Sequence, residues 1–236
     1  MTRIVVTGVG AVTPLGIGAD AYWDGLVAGR SGISYIDAFD TTDLDVKIGG
    51  QVRGFNPRDF MDFKVAKRMD RFAQFAVAAS REAIEQANLT IDDSNRERIA
   101  VVVNTGGGGI PAIENEVANM VRKGPKAVHM LLIPIFAPNM ASCQVSMAFG
   151  IHGPSVTSVA ACAAGVRQFI DAVNLLKRAR PTSQSRVEPK PVDPGGDCIA
   201  RQQYEPRSQS ETIHRKRPVA HSIRGATASS SPKGPR

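Results

Sequence analysis

The sequence has few cysteines and no long apolar run, and each shortage excludes a class of protein. Its three cysteines, Cys143, Cys162 and Cys198, are too few and too scattered for a disulfide framework or a zinc site. No apolar run reaches membrane-spanning length, and the N-terminus lacks the pattern of a signal peptide. The four histidines have no spacing typical of metal ligands. We therefore expect a cytoplasmic protein without disulfide, metal site or membrane segment.

The excess of basic charge is confined to the last quarter of the chain. Residues 1–177 hold 17 basic and 17 acidic side chains, whereas residues 178–236 hold 12 basic and 5 acidic ones. The first part therefore lacks the overall basic charge that is typical of nucleic-acid-binding domains, and we expect no specific nucleic-acid partner. The basic end could still bind polyanions non-specifically, and a steep salt dependence of DNA binding would support that alternative function.

The order of elements in residues 1–177 predicts a largely parallel α/β sheet. Short runs of β-branched residues predict three strands, at Arg3–Thr7, Ile99–Asn104 and Ser155–Ala160. The spacing of apolar residues and the flanking glycines predict four helices, at Asp20–Val27, Val65–Ala87, Ile113–Arg122 and Cys162–Lys177. Strands that alternate with helices in this way are typical of α/β domains.

The sequence changes character at Arg178. Residues 178–236 hold 8 of the 15 prolines, many Ser, Arg and Gln residues, and no sustained apolar period. Such a composition is typical of disordered chain. We therefore divide the protein into a body, residues 1–177, and a tail, residues 178–236, and we expect no strand or helix of the sheet from the tail.

Cys162 lies where a predicted strand passes directly into a helix. Residues 158–166 read SVAACAAGV, so the neighbours are small and would let a substrate carbonyl approach. Free N–H groups and the positive dipole end of a helix N-terminus stabilise a thiolate, and a nucleophilic cysteine for acyl transfer needs this arrangement. A buried structural cysteine is the alternative, because cysteine is among the most buried residue types. Cys143 lacks this context, and we interpret it as structural.

Four consecutive glycines, residues 106–109, follow the second predicted strand. No Lys-Ser or Lys-Thr pair follows them, and they do not form the G-x-G-x-x-G spacing of a nucleotide-binding unit. We therefore interpret them as a close backbone approach or a strand-to-helix turn rather than as a phosphate site.

Several stretches of the body form an ordered set of motifs. They are VVTGVGAVTPLG at residues 5–16, AKRMDRF at 66–72, PNMA at 138–141, FGIHGP at 149–154 and ACAAG at 161–165. Together they resemble the β-ketoacyl-acyl carrier protein synthase II family, and the likeness covers essentially the whole body in the family's order. It implies the thiolase-like fold, which consists of two similar βαβαβ halves and usually forms a homodimer. This chain would contain only the N-terminal βαβαβ half of that fold, and this half would itself be incomplete.

The resemblance implies a carbon–carbon condensing enzyme of fatty-acid elongation that needs no cofactor. Cys162 would accept an acyl chain from acyl carrier protein, and malonyl-acyl carrier protein would decarboxylate and attack the thioester to give a 3-oxoacyl product. Gly107 lies where many relatives carry a bulkier apolar gate, which implies a less obstructed acyl pocket. Lys67 and Arg68 lie where relatives present basic residues to the acidic carrier protein, although a solvated helix face explains them equally well.

The chain departs from the family after Lys177. Relatives also need two histidines and a lysine from their second half, and no histidine here matches those positions. Permitted codons for Arg178–Lys190, when they are read from the third base, give GEADVAIAGGTE, which is the strand and turn that the family would have next. Similar readings follow in family order along the tail. We therefore interpret residues 178–236 as a frameshifted translation of the same gene.

This interpretation leaves three classes of function open for the chain. The first is a 3-oxoacyl-acyl carrier protein synthase that is inactive as written, and the second is a polyketide ketosynthase of the same superfamily. The third is a non-catalytic remnant that at most is acylated or binds carrier protein. In each case we expect the body to keep an open sheet edge and an uncovered apolar face.

Overall fold

The computed structural model describes residues 3–178 and the pair 198–199. All of them belong to the first of the chain's two units, residues 1–204. Arg178, the first residue of the predicted tail, is described and is helical, contrary to expectation. For the rest of the tail, apart from the pair 198–199, the predicted disorder concerns residues that lie outside the described ones. Within the described ranges, no helix combines the length and the apolar character needed to cross a membrane.

The chain forms short strands and longer helices. The strands are β1 (Val12–Thr13), β2 (Gly16–Ile17), β3 (Ile33–Tyr35), β4 (Ile48–Gly50), β5 (Val101–Val102), β6 (Ser155–Val156) and β7 (Cys198–Ile199). The helices are α1 (Ala19–Val27), α2 (Phe63–Ala66), α3 (Arg71–Gln86), α4 (Ile110–Lys123), α5 (Leu132–Phe136), α6 (Met140–Phe149) and α7 (Ala164–Arg178). Strands β1 and β2 form one antiparallel hairpin, and β3 and β4 form another.

Strand β5 is the centre of a three-stranded sheet with the order β6-β5-β7. It pairs in parallel with β6, and the backbone hydrogen bonds continue beyond both strands to the bond from Thr105 N to Ser158 O, 3.1 Å long. An isolated bridge between Thr105 and Val159 extends the pairing further. The two predicted strands in this region are therefore confirmed as a parallel pair, and both end at the same edge of the sheet.

The tail contributes a strand to this sheet, contrary to expectation. Cys198 and Ile199 pair antiparallel with Val102 and Val101, on the side of β5 opposite β6. The free N–H and C=O groups at a strand edge can pair with any extended segment, whatever its position in the sequence. The edge of β5 that we expected to stay open is therefore occupied.

The predicted strand Arg3–Thr7 is wrong, because this segment forms no ladder with another strand. The chain that follows it lies along α3 instead. The N–H groups of Val9 and Ala11 donate hydrogen bonds to the side chains of Gln86 and Glu82. Side chains of the helix thus satisfy backbone groups that a neighbouring strand would otherwise bind.

The alternation of side chains along β5 divides the core into two layers. Ile99, Val101 and Val103 are buried in the main hydrophobic cluster together with residues of α3 and α6. Val102 points to the opposite face, where it packs in a smaller cluster with Ala172 of α7. Successive side chains of a strand point to opposite faces, so Asn104 also lies on the side of α7.

The long helix predicted at Val65–Ala87 is divided at Asp70. Helix α2 ends at Ala66, and α3 starts at Arg71 after an extended Asp70, whose carboxylate accepts the N–H of Arg71. Aspartate is a favoured N-cap residue, and this local bond overrides the continuous apolar period. A second shift concerns the helix predicted at Cys162–Lys177, because α7 begins two residues later, at Ala164.

Candidate functional site

The carboxyl ends of β5 and β6 bring two of the predicted features to one edge of the sheet. The glycines follow β5, and the segment with Cys162 follows β6. The N–H of Ala160 donates to the carbonyl of Thr105 at 3.3 Å, which ties the start of one segment to the start of the other. A Cβ on Gly106 would lie 3.8 Å from the carbonyl oxygen of Ala161.

Cys162 lies in a short 3-10 turn, Ala161–Ala163, that runs into α7. Ala161 has a left-handed backbone with φ of 44°, which is uncommon for a residue other than glycine and is typical of sharp, strained turns. The side chain of Cys162 is exposed, so the alternative of a buried cysteine is wrong. The turn thus presents the thiol outward at the N-terminal end of a long helix.

The second half of the glycine segment is packed against neighbouring backbone. Gly108 has a positive φ of 74°, and a Cβ there would lie 2.5 Å from the carbonyl oxygen of Phe136. A Cβ on Gly109 would lie 2.5 Å from the Asp70 carboxylate. The interpretation as a close backbone approach is therefore confirmed for Gly108 and Gly109.

Gly107 is half-buried beside the start of α4. A Cβ at this position would lie 3.1 Å from Cδ1 of Ile110. The Ile110 side chain is 62% exposed and can rotate away, so a larger residue at position 107 would displace the end of a mobile side chain rather than backbone. Ile110 is thus the nearest neighbour of a side chain at position 107.

Lys67 and Arg68 are exposed just after α2, while their neighbours Ala66 and Met69 are buried. The Lys67 ammonium lies 4.5 Å from the centre of the Phe63 ring, and the Arg58 guanidinium lies 4.2 Å from the same ring. Both contacts are within cation–π range.

Asp70 lies two residues after Arg68, and its carboxylate lies 2.5 Å from the place that a Cβ on Gly109 would take. The segment that carries the basic residues therefore passes close to the glycine segment.

A polar network that was not predicted from the sequence lies at the base of this turn. Asn104 and Gln168 are each only 1% exposed. The N–H of Asn104 donates to Gln168 Oε1 at 2.7 Å, and its Nδ2 donates to Asp171 Oδ2 at 3.1 Å. Ser158 donates its N–H to Asn104 Oδ1 at 2.7 Å and its hydroxyl to Asp171 Oδ2 at 2.9 Å. The signal in the sequence for this network is Asn104, a polar residue at the end of an apolar strand.

Asp171 is the charged member of this network. Its side chain is 11% exposed, and it forms an ion pair with Arg167, Nε to Oδ1, at 2.9 Å. Burial raises the pKa of Asp171, but the hydrogen bonds from Asn104 and Ser158 and the pair with Arg167 outweigh it and hold the pKa below its ordinary value of 3.8. The carboxylate therefore stabilises the fold above about pH 4, and this contribution is lost as the pH falls through the lowered pKa.

The remaining sequence candidates do not join the site. Cys143 is half-buried on α6, where Asn139 Nδ2 lies 3.7 Å from its sulfur. His129 and His152 are exposed and belong to no metal-ligating group, since residues 3–178 contain no cluster of three or more His, Cys, Asp or Glu side chains that could hold a metal.

Comparisons with known proteins give this geometry a family context. Residues 1–180 match the family described as β-ketoacyl synthase, N-terminal domain. The chain is 43% identical over 175 residues to 3-oxoacyl-[acyl-carrier-protein] synthase 2 of Synechocystis, a match that covers 74% of this chain and 42% of the relative. It is 38% identical over 176 residues to the Staphylococcus aureus protein of the same name, with 75% and 42% covered. The chain therefore spans less than half the length of these curated relatives.

A solved structure shows the same fold. The ishigamide ketosynthase/chain length factor aligns with a TM-score of 0.66 and 31% identity, over 75% of this chain and 45% of that one. The predicted thiolase-like fold, present as an incomplete N-terminal half, is confirmed by this likeness together with the family match.

Proposed function

Since this chain belongs to the β-ketoacyl synthase family through that family's N-terminal domain, we propose that it is the acyl-accepting part of a 3-oxoacyl-acyl carrier protein synthase of fatty-acid elongation. The observation that carries the proposal is the exposed thiol of Cys162, held in a strained turn between a parallel strand and a long helix. The names of the two curated relatives support the same reaction.

The proposed step is the transfer of an acyl group to Cys162. The thiolate attacks the thioester carbonyl of acyl-acyl carrier protein, the bond from carbon to the carrier's sulfur breaks, and the carrier leaves as a thiol after it takes up a proton. The N–H of Cys162, close to the start of α7, would stabilise the oxyanion of the tetrahedral intermediate. The product is an acyl thioester on Cys162.

We further propose that the chain as given stops at this acyl-enzyme. Condensation with malonyl-acyl carrier protein needs groups from the second half of the family's fold, and the family match ends at residue 180. A polyketide ketosynthase is the second candidate, and the 31% identity to the ishigamide ketosynthase/chain length factor favours it. Transfer of acyl groups from fatty-acid and from polyketide carrier proteins, measured side by side, would distinguish the two.

Acyl carrier protein is the proposed partner, and Lys67 and Arg68 its proposed contact. Their replacement together by glutamate is expected to raise the KM for acyl-acyl carrier protein about tenfold, because carrier proteins are acidic and opposite charges steer association. The rate at saturating carrier should change little. Intact mass spectrometry of the chain, followed over time at several carrier concentrations, gives both values.

The matched control for this test is Arg122→Glu with Lys123→Glu, two charge reversals at the exposed end of α4. It should leave the KM unchanged. Equal effects of this control and of the variant at Lys67 and Arg68 would show a general charge effect and would contradict a specific contact. The absence of any acyl transfer to the folded wild-type chain would contradict the proposed function itself.

Gly107 is proposed to leave the acyl pocket open. We expect Gly107→Ile to reduce transfer of long acyl chains about tenfold or more relative to short ones, because the added side chain would occupy pocket volume. Since Ile110 must shift to make room, the double variant Gly107→Ile, Ile110→Ala is the control for local crowding. An unchanged preference in both variants, measured by competition between acyl donors of different length, would contradict the open pocket.

The intact protein is proposed to be a cytoplasmic homodimer. Large apolar side chains stand exposed on α4 and α7, among them Val121, Val166 and Ile170. Uncovered apolar surface of this kind is typical of faces that pack against further protein.

A further inference from the structure

We propose that Asn104 and Asp171 are positioning residues, which with Ser158 and Gln168 form a brace, here meaning these four hydrogen-bonded residues, that fixes the turn of Cys162. The proposal rests on the proposed function and deepens it, because it names what holds the nucleophile in place. None of the four side chains is proposed to touch the substrate.

The brace joins the three elements that meet at the turn. Asn104 follows β5, Ser158 follows β6, and Gln168 and Asp171 lie one turn apart on α7. Ser158 precedes Cys162 by four residues, and Gln168 follows it by six, so the network anchors the turn on both sides. A displacement of both flanks of the turn relative to the sheet would therefore strain these hydrogen bonds, of which the bond between Asn104 and Gln168 is fully buried.

The brace replaces the apolar packing found one layer below it. On the same face of the sheet, Val102 and Val156 pack against Ala172 and Leu175. Two residues further along each strand the side chains become Asn104 and Ser158. Apolar contacts are non-directional, whereas hydrogen bonds fix both distance and angle, and removal of one partner leaves the other buried and unsatisfied. The polar layer is thus the one that sets the geometry next to the nucleophile.

The hydrogen bonds require a side chain at position 104 that both donates and accepts, and a side chain at position 171 that only accepts. The Asn104 amide accepts from Ser158 N–H and donates to Asp171, while Asp171 accepts from Asn104, from the Ser158 hydroxyl and from Arg167. Asn104→Asp places a second carboxylate next to that of Asp171, and the two repel each other. Asp171→Asn removes the negative charge that Arg167 pairs with. The double variant reverses the donor and the acceptor and can remake the bond.

The test measures the rates of acyl transfer and of alkylation at Cys162 in these three variants. Each single substitution is expected to lower the rate constant of acyl transfer at saturating carrier about 10- to 100-fold, with an unchanged KM, because small misplacements of a reacting group have effects of this size. The double variant should be faster than either single one. Alkylation of Cys162 by iodoacetamide, with Cys143 in the same chain as reference, should follow the same order.

The control is Leu175→Ala, which removes packing from the apolar layer of the same face. It should lower the thermal stability but leave the rate at Cys162 unchanged, whereas a purely structural network would link the rate to stability in all variants. If the single variants do not fold, Ser158→Ala serves in their place, because it removes only the hydrogen bond from the Ser158 hydroxyl. It should lower the rates of acyl transfer and of alkylation at Cys162 about threefold.

Two results would overturn the brace. The first is that Cys162 is alkylated at the wild-type rate in the folded variants. The second is that Leu175→Ala lowers the rate of acyl transfer to Cys162 as much as the substitutions of Asn104 and Asp171 do. Because alkylation needs no carrier protein, a wild-type chain that accepts no acyl group would contradict the proposed function while the alkylation rates still test the brace.

Discussion

A chain that continues beyond Lys177 in the frame that restores the family's sequence is expected to form 3-oxoacyl product at least about 10³-fold faster than the chain as given. The resemblance implies that the family's second half would supply two histidines and a lysine. A positioned acid–base group contributes about 10²–10⁴-fold and an oxyanion donor about 10²–10³-fold. The chain as given should accept an acyl group but release no carbon dioxide from malonyl-acyl carrier protein.

This prediction is checked by sequencing the gene downstream of the Lys177 codon and assaying both proteins with the same substrates. Carbon dioxide release and the mass of the product carrier protein report condensation directly. The extended chain with Cys162→Ala is the control and should form no product. Equal condensation by the short and the extended chain would contradict the division of labour between the two halves, and a gene with no coherent alternative frame would contradict the frameshift.

Gly10→Ala is expected to destabilise the fold by about 3 kcal/mol or more, since a core overlap with backbone cannot relax by side-chain rotation. A Cβ at this position would lie 2.0 Å from the carbonyl oxygen of Ala79 and 2.9 Å from its carbon, both in the backbone of α3. The alanines of α3 that make this approach possible are buried in the main core. The substitution must therefore move the N-terminal segment off the helix.

The matched control for Gly10→Ala is Gly106→Ala. The nearest atom to a Cβ there is 3.8 Å away, which is an ordinary contact, so the change in stability should stay within about 0.5 kcal/mol. Urea unfolding followed by circular dichroism measures both variants. Equal midpoints for the two substitutions would show that the packing of Gly10 on α3 does not stabilise the fold.

The sequence predicted those parts of the fold that depend on local pattern. The β-branched runs before Asn104 and after Pro154 do form a parallel pair, and a turn with Cys162 follows the second of them. The predicted strand Arg3–Thr7 failed for a non-local reason, because a strand requires a neighbour with which to pair. The strand that pairs with β5 on the side opposite β6 is Cys198–Ile199.

Other features of the site could not be read from periodicity. The break at Asp70 depends on a single cap bond, which is weaker as a sequence signal than the continuous apolar pattern around it. The left-handed Ala161 gives no sign of its conformation, because alanine rarely adopts it. The brace joins residues more than 60 positions apart, such as Asn104 and Asp171. Only the fold brings them together.

The most direct test of the account is to locate the acyl group on the chain. The wild-type protein is incubated with acyl-acyl carrier protein, digested, and analysed by peptide mass spectrometry, with Cys162→Ala treated in parallel. We expect one thioester, on the peptide that contains Cys162, and none in the variant. An acyl group on Cys143 or Cys198, or equal labelling of Cys162→Ala, would contradict the assignment of Cys162 as the nucleophile.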